Sequence, residues 1–272
     1  MPVQRPITFG VATYGTGEVL ESNFLASPCL REPHPHQILV QRDYVAASRA
    51  YNDAIDRAEN DLIVLVHQDV ILPEPWLWQL ACAIDQLEAS DPKWGVLGCY
   101  GMERDGIGCG CIYSPGRGLI GTPLARATPV QTLDEIVLIL RKSSGLRFDD
   151  CLPHFHLYGA DICLRAAKMG MRSYAIPAFC IHNAHQYLVL PDEFYACCRH
   201  IRHVWKDALP IQTTCLKITR LNLPAHRRRL QEVYLRHVRH KAFLAPRAED
   251  ISQLLRQAAS ADPRRTRNVI SS

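Results

Sequence analysis

The most informative part of the chain is a run of apolar residues that ends in two side chains of types that can bind a metal ion. The stretch Asp61-Leu-Ile-Val-Leu-Val-His67-Gln68-Asp69 is too short to cross a membrane and too rich in branched residues for a good helix. It predicts a buried parallel strand whose polar end lies where open α/β sheets bind ligands. The imidazole of His67 beside the carboxylate of Asp69 suits a divalent cation that holds phosphates. Alternatively, these residues are an ordinary turn after a strand.

Asp161 lies at the start of a second segment that can carry chemistry. The residues that follow it to Met169 are good helix formers, and Gly170 suits the position just after a helix end. A carboxylate at a helix N-terminus has an ordinary explanation, because it stabilises the helix by capping and through the helix dipole. The same carboxylate can also accept a proton in catalysis.

Two histidines follow another predicted strand. The strand ends at Ile181, and His182 and His185 come after it. A His-x-x-His pair on a helix would suggest zinc, but this segment has no helical pattern. Either histidine can be a surface or hydrogen-bonded residue. If the fold brings the segment next to Asp69, one of these histidines can share a metal ion with it.

The elements between these segments predict an open α/β sheet. Strands are predicted at residues 7–12, 37–41, 61–66 and 94–99, with helices between them at residues 43–58 and 75–87. This alternation is typical of a sheet with right-handed crossovers, whose ligands bind at the carboxyl ends of the strands. Thr13, Asp43 and Asp69 follow three of these strands and are therefore expected to converge.

Taken together, these segments resemble the nucleotide-binding half of a GT-A glycosyltransferase of family 2. The resemblance is greatest to a branch related to a streptomycin-biosynthesis glycosyltransferase, and it covers roughly residues 5–190. It rests on the opening strand and on the segments Tyr51–Ile55, His67–Asp69, Phe155–Asp161 and His182–His185. It implies an α/β fold of the GT-A, Rossmann-like type: a mixed, mostly parallel sheet flanked by helices, with a helical C-terminal extension.

The resemblance also implies roles for individual residues. It implies a divalent metal ion, Mn²⁺ or Mg²⁺, held by Asp69 and His182, with His185 as the fallback ligand. The family has an Asp-x-Asp motif at this strand tip, and here His67 replaces its first aspartate. Asp161 corresponds to the family's general base. Contacts to the nucleotide are implied for Thr13, Asp43, Gln68 and Asn52, the last of which can equally be structural.

The implied function is a metal-dependent, inverting transfer of a sugar from a nucleoside diphosphate donor to a hydroxyl acceptor. That acceptor is a glycan, a lipid-linked carbohydrate or a small molecule. Two alternatives fit the same residues: a catalytically silent module that binds a nucleotide sugar or glycan, and a metal-dependent hydrolase or nucleotidyltransferase. Binding without turnover would favour the silent module, and hydrolysis of the donor without an acceptor would favour the hydrolase.

The composition agrees with an enzyme that has one sizeable core. The chain has 272 residues, 47% of them hydrophobic, and no apolar run long enough to cross a membrane. Its first residues lack the pattern of a secretory signal. Eleven cysteines without the spacing of a disulfide framework or a zinc ribbon predict reduced thiols and a cytoplasmic protein. The net charge of +4 does not demand a nucleic-acid partner.

Basic residues crowd the last fifth of the chain. We expect a glycosyltransferase domain over residues 1–190, a basic helical extension over 191–259 packed on it, and a disordered tail over 260–272. Helices are predicted at residues 192–207 and within 225–259, with a break near Pro246. The extension can lie against the inner face of an anionic membrane, bind a partner or form a homodimer; a solvated basic helix pair on the core is the plainer explanation.

Two further segments lie between these motifs. Residues 106–111 and 115–118 are rich in glycine but lack the strand and helix of a dinucleotide motif, and we expect a flexible loop near the acceptor. Asp134 and Glu135 precede a predicted strand at residues 136–140. These two acids either contact the acceptor sugar or cap the strand.

Overall fold

The computed structural model of the protein describes residues 5–31 and 35–261. The helices are α1 (Glu18–Ser22), α2 (Ala47–Arg57), α3 (Trp76–Ser90), α4 (Tyr158–Lys168), α5 (Asp192–Val204), α6 (Leu223–His237) and α7 (Ile251–Ala261). The strands are β1 (Ile7–Thr13), β2 (Gln37–Arg42), β3 (Leu62–His67), β4 (Val70–Ile71), β5 (Leu97–Gly98), β6 (Tyr100–Met102), β7 (Gly108–Ser114), β8 (Gly118–Thr122), β9 (Thr128–Val130), β10 (Thr132–Leu133), β11 (Val137–Arg141), β12 (Ser173–Ala175), β13 (Cys180–His182), β14 (Gln186–Tyr187), β15 (Ile211–Gln212), β16 (Lys217–Ile218) and β17 (Phe243–Ala245). Of the tail predicted to be disordered, Ser260 and Ala261 end α7, and residues 262–272 lie outside the described part.

Seven strands form the central sheet, in the spatial order β2-β1-β3-β11-β5-β12-β9. β1 pairs in parallel with both β2 and β3, so Thr13, Arg42 and His67 end at the same edge. β11 runs antiparallel between β3 and β5, β5 is parallel to β12, and β9 is antiparallel to β12. The predicted mixed sheet flanked by helices is confirmed. Parallel and antiparallel pairings are equally frequent among the described strands of this sheet, so it is less parallel than expected.

The strand β3 lies at the centre of the hydrophobic core. Ile63 and Leu65 pack into one core with α2, α4 and α5, whereas Val64 and Val66 pack into a second core with α1 and α3. All four side chains are at most 1% exposed. Successive strand residues point to opposite faces, so a strand covered on both sides requires an unbroken apolar run. The polar residues begin at His67, where that cover ends.

A second sheet lies beside the first, in the order β10-β6-β7-β13-β4, with β8 paired to β7. The glycine-rich stretch that we expected to be a flexible loop forms the antiparallel hairpin β7–β8 of this sheet, so that expectation is wrong. Gly110 shows the reason: its φ is +90°, and a Cβ there would lie 2.1 Å from the carbonyl oxygen of Cys99. Glycine here permits close packing of backbones. The strand predicted at residues 94–99 is also shorter, because β5 comprises only Leu97–Gly98.

The C-terminal region contains the expected helices α5, α6 and α7, together with short strands. The predicted break near Pro246 falls between β17 and α7. Glu232 on α6 is 4% exposed and accepts a hydrogen bond from Tyr195 on α5, so these two helices pack together. The outer face of α6 exposes Leu230 and Val233. Among the residues that the structure describes, no helix is long and apolar enough to span a membrane.

Candidate functional site

His67, Asp69 and His182 come together where β3 and β13 end. β13 runs antiparallel to β4 and places His182 opposite Val70, the neighbour of Asp69. Nε2 of His182 lies 3.4 Å from Oδ1 of Asp69, and one ligand atom from each of the three side chains lies within 4.8 Å of the others. Two imidazoles and one carboxylate fit a single divalent cation, and the imidazoles favour Mn²⁺ over Mg²⁺. His67 thus joins the two ligands that the sequence indicated.

Burial and mutual charge set the protonation of this triad. Burial lowers the pKa of His67 to about 4, so its imidazole is neutral near pH 7 and keeps a lone pair. Burial by itself would raise the pKa of Asp69, but His182 outweighs that effect and holds the pKa well below its usual range. Burial would lower the pKa of His182, and the carboxylate of Asp69 raises it overall. Cation binding requires a neutral imidazole, so it would oppose the protonation of His182 that Asp69 favours.

Tyr158 engages one ring nitrogen of His67. The Tyr158 hydroxyl lies 3.1 Å from the carbonyl oxygen of Glu135, to which it can donate a hydrogen bond. The same hydroxyl lies 2.5 Å from Nε2 of His67, and which of these two groups donates depends on the tautomer of the ring. With the proton on Nε2, the lone pair of the neutral ring is on Nδ1. Outer partners of this kind orient metal-ligating histidines and increase their affinity for the ion.

A cleft of about 260 Å³ adjoins the triad, slightly below the usual range for ligand sites. Aromatic side chains form much of its wall and offer faces on which a nucleobase can stack. Gln41 lies opposite Ala12 in the pairing of β2 with β1, and its buried amide nitrogen has no hydrogen-bond partner among the described residues. The cleft is lined by Ala12, Thr13, Tyr14, Tyr44, Tyr51, His67, Gln68, Asp69 and Phe155.

The residues predicted to contact the nucleotide fall into two groups. Thr13 and Gln68 line the cleft, and the Thr13 hydroxyl donates to Oε1 of Gln68 at 2.6 Å. Asp43 is exposed in the turn after β2, outside the lining. Asn52 is engaged elsewhere: its amide bonds both the N–H and the carbonyl of Phe148, which favours the structural alternative. His185, the fallback metal ligand, is exposed and lies outside the triad.

Asp161, for which a catalytic role is predicted, is enclosed by its neighbours in the fold. Its side chain is fully buried. Oδ2 accepts hydrogen bonds from Nε of Arg165 at 2.8 Å and from the backbone N–H of Asp149 at 3.2 Å, while Oδ1 accepts one from Nε1 of Trp205 at 2.8 Å. A general base must reach the proton that it removes. In this arrangement Asp161 instead joins α4 to the segment before it and to the end of α5.

Glu135 is a carboxylate near the triad that the sequence did not single out as catalytic. It lies between β10 and β11, is partly exposed, and accepts a hydrogen bond at Oε1 from the N–H of Leu157 at 2.8 Å. Burial, with the added effect of Asp134, raises the pKa of Glu135 to about 8. The available signal was the acidic pair directly before β11, because β11 pairs with β3, the strand that ends at the triad.

Comparison with known proteins gives no family assignment, because no protein-family model matches the chain. A protein of Fuscovulum blasticum described as "ATP synthase subunits region ORF 6" is 28% identical over 152 residues, which cover 53% of this chain and 58% of that protein. The chain therefore spans less than two thirds of this curated relative. The resemblance to family 2, and to one branch of it, remains a prediction.

Three solved structures show a partial likeness to this chain, and one of them is a mannosyltransferase by name. S. aureus TarS 1-349 matches with a TM-score of 0.48 and 14% identity over 96% of this chain and 82% of that chain. Mannosyltransferase PcManGT from Pyrobaculum calidifontis, in complex with GDP-Man and Mn²⁺, matches with a TM-score of 0.46 and 14% identity. The match covers 96% of this chain and 76% of that chain. GalNAc-T7 with UDP, GalNAc and Mn²⁺ matches with a TM-score of 0.48 and 8% identity. The match covers 66% of this chain and 44% of that chain. These similarities are too low to assign an activity to this chain.

Proposed function

We propose that the protein is a metal-dependent glycosyltransferase that moves a sugar from a nucleoside diphosphate donor to a hydroxyl acceptor. The observation that carries this proposal is the triad of His67, Asp69 and His182 at the end of an aromatic-walled cleft. A divalent cation bound there would neutralise the negative charge of a diphosphate leaving group. The transfer of a sugar, as distinct from other diphosphate chemistry, is supported by the resemblance of the sequence motifs.

The cleft residues have complementary roles in holding the donor. The side chains of Tyr14 and Tyr44 offer faces for the nucleobase. Thr13 and Gln68 offer a hydroxyl and an amide for its polar edge. The resemblance alone supports a nucleotide contact for Asp43.

We assign acceptance of the acceptor's proton to Glu135, a partly exposed carboxylate just before β11, the strand that pairs with β3. Asp161 has both of its oxygens in hydrogen bonds inside the protein. A pKa of about 8 lies near the operating pH, where a general base is most effective. As the acceptor hydroxyl attacks the anomeric carbon, its proton passes to the carboxylate of Glu135 and the bond to the diphosphate breaks. A single displacement of this kind inverts the anomeric centre. The acceptor itself is a glycan, a lipid-linked carbohydrate or a small molecule.

The first experiment is calorimetric titration of UDP, GDP and thymidine diphosphate with and without Mn²⁺. We expect one nucleotide to bind the wild type tightly only when Mn²⁺ is present, and Asp69→Ala to abolish that binding. Asp85→Ala is the control, since Asp85 lies on α3 in a surface ion pair with Arg5. If none of the nucleotides binds in the presence of Mn²⁺, the proposed function is wrong.

Turnover separates glycosyl transfer from its two alternatives. Using the sugar form of the nucleotide that binds, Glu135→Gln should reduce kcat about a hundredfold or more with little change in KM, since general-base catalysis contributes about 10²–10⁴-fold. Asp134→Asn is the matched control. The catalytically silent module is the second candidate, favoured by the structural role of Asp161, and donor binding without turnover by any acceptor would support it. Donor hydrolysis that no acceptor accelerates would instead support the hydrolase.

A further inference from the structure

The last described part of the chain packs directly on the elements that carry the metal triad. β17 pairs with β14, and α7 buries Leu254 in a cluster with Ile71 and Ile181. Ile71 lies two residues after Asp69, and Ile181 immediately precedes His182. The stretch between β17 and α7 is consequently held beside the triad, although it lies far from it in sequence.

Asn183 attaches this stretch to the site. Its side-chain Oδ1 accepts a hydrogen bond from the N–H of Ala248 at 2.8 Å, and its Nδ2 donates to the carbonyl of Ala248 at 3.0 Å. The backbone N–H of Asn183 donates to the carbonyl of Asp69 at 2.8 Å. Asn183 is fully buried. A buried amide that is satisfied on both sides fixes the position of Ala248, and with it the neighbouring residue, relative to Asp69.

That neighbouring residue is Arg247, whose guanidinium lies at the edge of the triad. Its Nε donates to the carbonyl of Asn183 at 2.8 Å, and its backbone N–H donates to Nδ1 of His185. Its Nη2 is 3.6 Å from Oδ2 of Asp69, too far for a hydrogen bond and close enough for electrostatic attraction. The Arg247 side chain is 21% exposed. Within the described part of the chain, the terminal nitrogens of Arg247 donate no hydrogen bond to another residue.

We propose that Arg247 binds the diphosphate of the donor beside the metal triad. This inference rests on the proposed function and deepens it, by giving the C-terminal segment a part in substrate binding. The planar guanidinium presents parallel N–H groups that match two phosphate oxygens, which a lysine cannot do. A divalent cation bound by Asp69 would offset the charge of this carboxylate and weaken its attraction for Arg247. The diphosphate then offers the guanidinium hydrogen bonds that Asp69 does not.

The alternative is that Arg247 serves only as a counter-ion for Asp69, or only supports the fold. These roles differ in what they predict for ligands of different charge. A diphosphate-binding residue contributes to affinity only when phosphates are present. A counter-ion for Asp69 affects the affinity for the cation itself, and a residue that supports the fold affects every ligand and the stability.

The test compares Arg247→Met with Arg256→Met, a control on the exposed face of α7 in the same segment. Calorimetry measures the affinity for Mn²⁺ alone, for pyrophosphate with Mn²⁺, for the nucleoside diphosphate that the wild type binds, and for the corresponding nucleoside. We expect Arg247→Met to bind pyrophosphate and the nucleoside diphosphate at least tenfold more weakly, with the affinities for Mn²⁺ and the nucleoside within threefold of wild type. Arg247→Lys should recover only part of the loss, and Arg256→Met should behave as wild type.

Other outcomes overturn the inference in distinguishable ways. Unchanged pyrophosphate and nucleotide affinities in Arg247→Met would refute the role of Arg247 while leaving the glycosyltransferase proposal intact. Equal weakening of all four ligands, with a lower melting temperature, would show that Arg247 only supports the fold. A change confined to Mn²⁺ would identify a counter-ion. If the wild type binds neither pyrophosphate nor any nucleotide with Mn²⁺, both proposals fail together.

Discussion

The buried carboxylate of Asp161 gives the sharpest test of the site, because its catalytic and structural roles predict opposite results. In Asp161→Asn the amide can still accept the hydrogen bond from Trp205, but its NH₂ group would face the donors of Arg165 and Asp149. Removing one partner of a buried ion pair costs about 3–5 kcal/mol. Arg165 keeps a second carboxylate, Asp149, at 3.1 Å, so we expect a loss near the lower limit, about 3 kcal/mol.

Urea unfolding at pH 7, followed by circular dichroism, measures this loss, and turnover is measured at a temperature where both proteins are folded. Asp53→Asn is the matched control: Asp53 and Arg57 form an ion pair with the same i,i+4 spacing on α2, but their side chains are 35% and 56% exposed. Such a surface pair contributes about 0–1 kcal/mol. The structural assignment is refuted if Asp161→Asn unfolds like the wild type and has lost turnover, as a general base would.

Three other changes test neighbouring features of the site. Tyr158→Phe removes the hydroxyl that orients His67 and should weaken Mn²⁺ binding about 10–100-fold in equilibrium titration, whereas Tyr174→Phe, on the distant β12, should not. The pKa of Glu135 is about 8 in the folded protein against an ordinary 4.5, so the stability that this group contributes is full below pH 4.5 and is lost as the pH rises through 8. Urea titrations of Glu135→Gln at several pH values should lack this decline. A parallel decline in the wild type and the variant would contradict the raised pKa. Gly159→Ala would place a Cβ 2.6 Å from the carbonyl oxygen of Leu133 and should lower the free energy of unfolding by about 1–3 kcal/mol, measured by thermal unfolding. An unchanged melting temperature would show that the first turn of α4 can adjust.

The features that follow from local pattern were accessible in the sequence. The apolar run of β3 and its polar end predicted both a buried strand and candidate ligands at its tip, whereas the choice of His182 came from the resemblance to a family. Gly170 follows the end of α4 with a φ of +75°, as its position indicated. These signals depend only on neighbours along the chain.

The features on which the sequence and the structure differ depend on partners far away in sequence. Asp161 is held by Trp205, which lies 44 residues later, and nothing near Asp161 indicates that an indole nitrogen will reach it. The amide of Asn52 is similarly satisfied by a segment about 100 residues later. Gly110 was misread because its need for glycine comes from the backbone of an adjacent strand. In each instance a tertiary contact supplies information that the local sequence does not contain.

The side chain of Asn183 has a consequence for how the protein folds. Its hydrogen bonds reach Asn23, 160 residues earlier, and Ala248, 65 residues later. Contacts of such separation require long loops to close, which costs chain entropy, so we expect them to form late in folding. On this expectation the metal triad acquires its final surroundings near the end of folding. A ligand that recognises only the completed site would shift the equilibrium towards the native state by mass action and protect the chain from proteolysis.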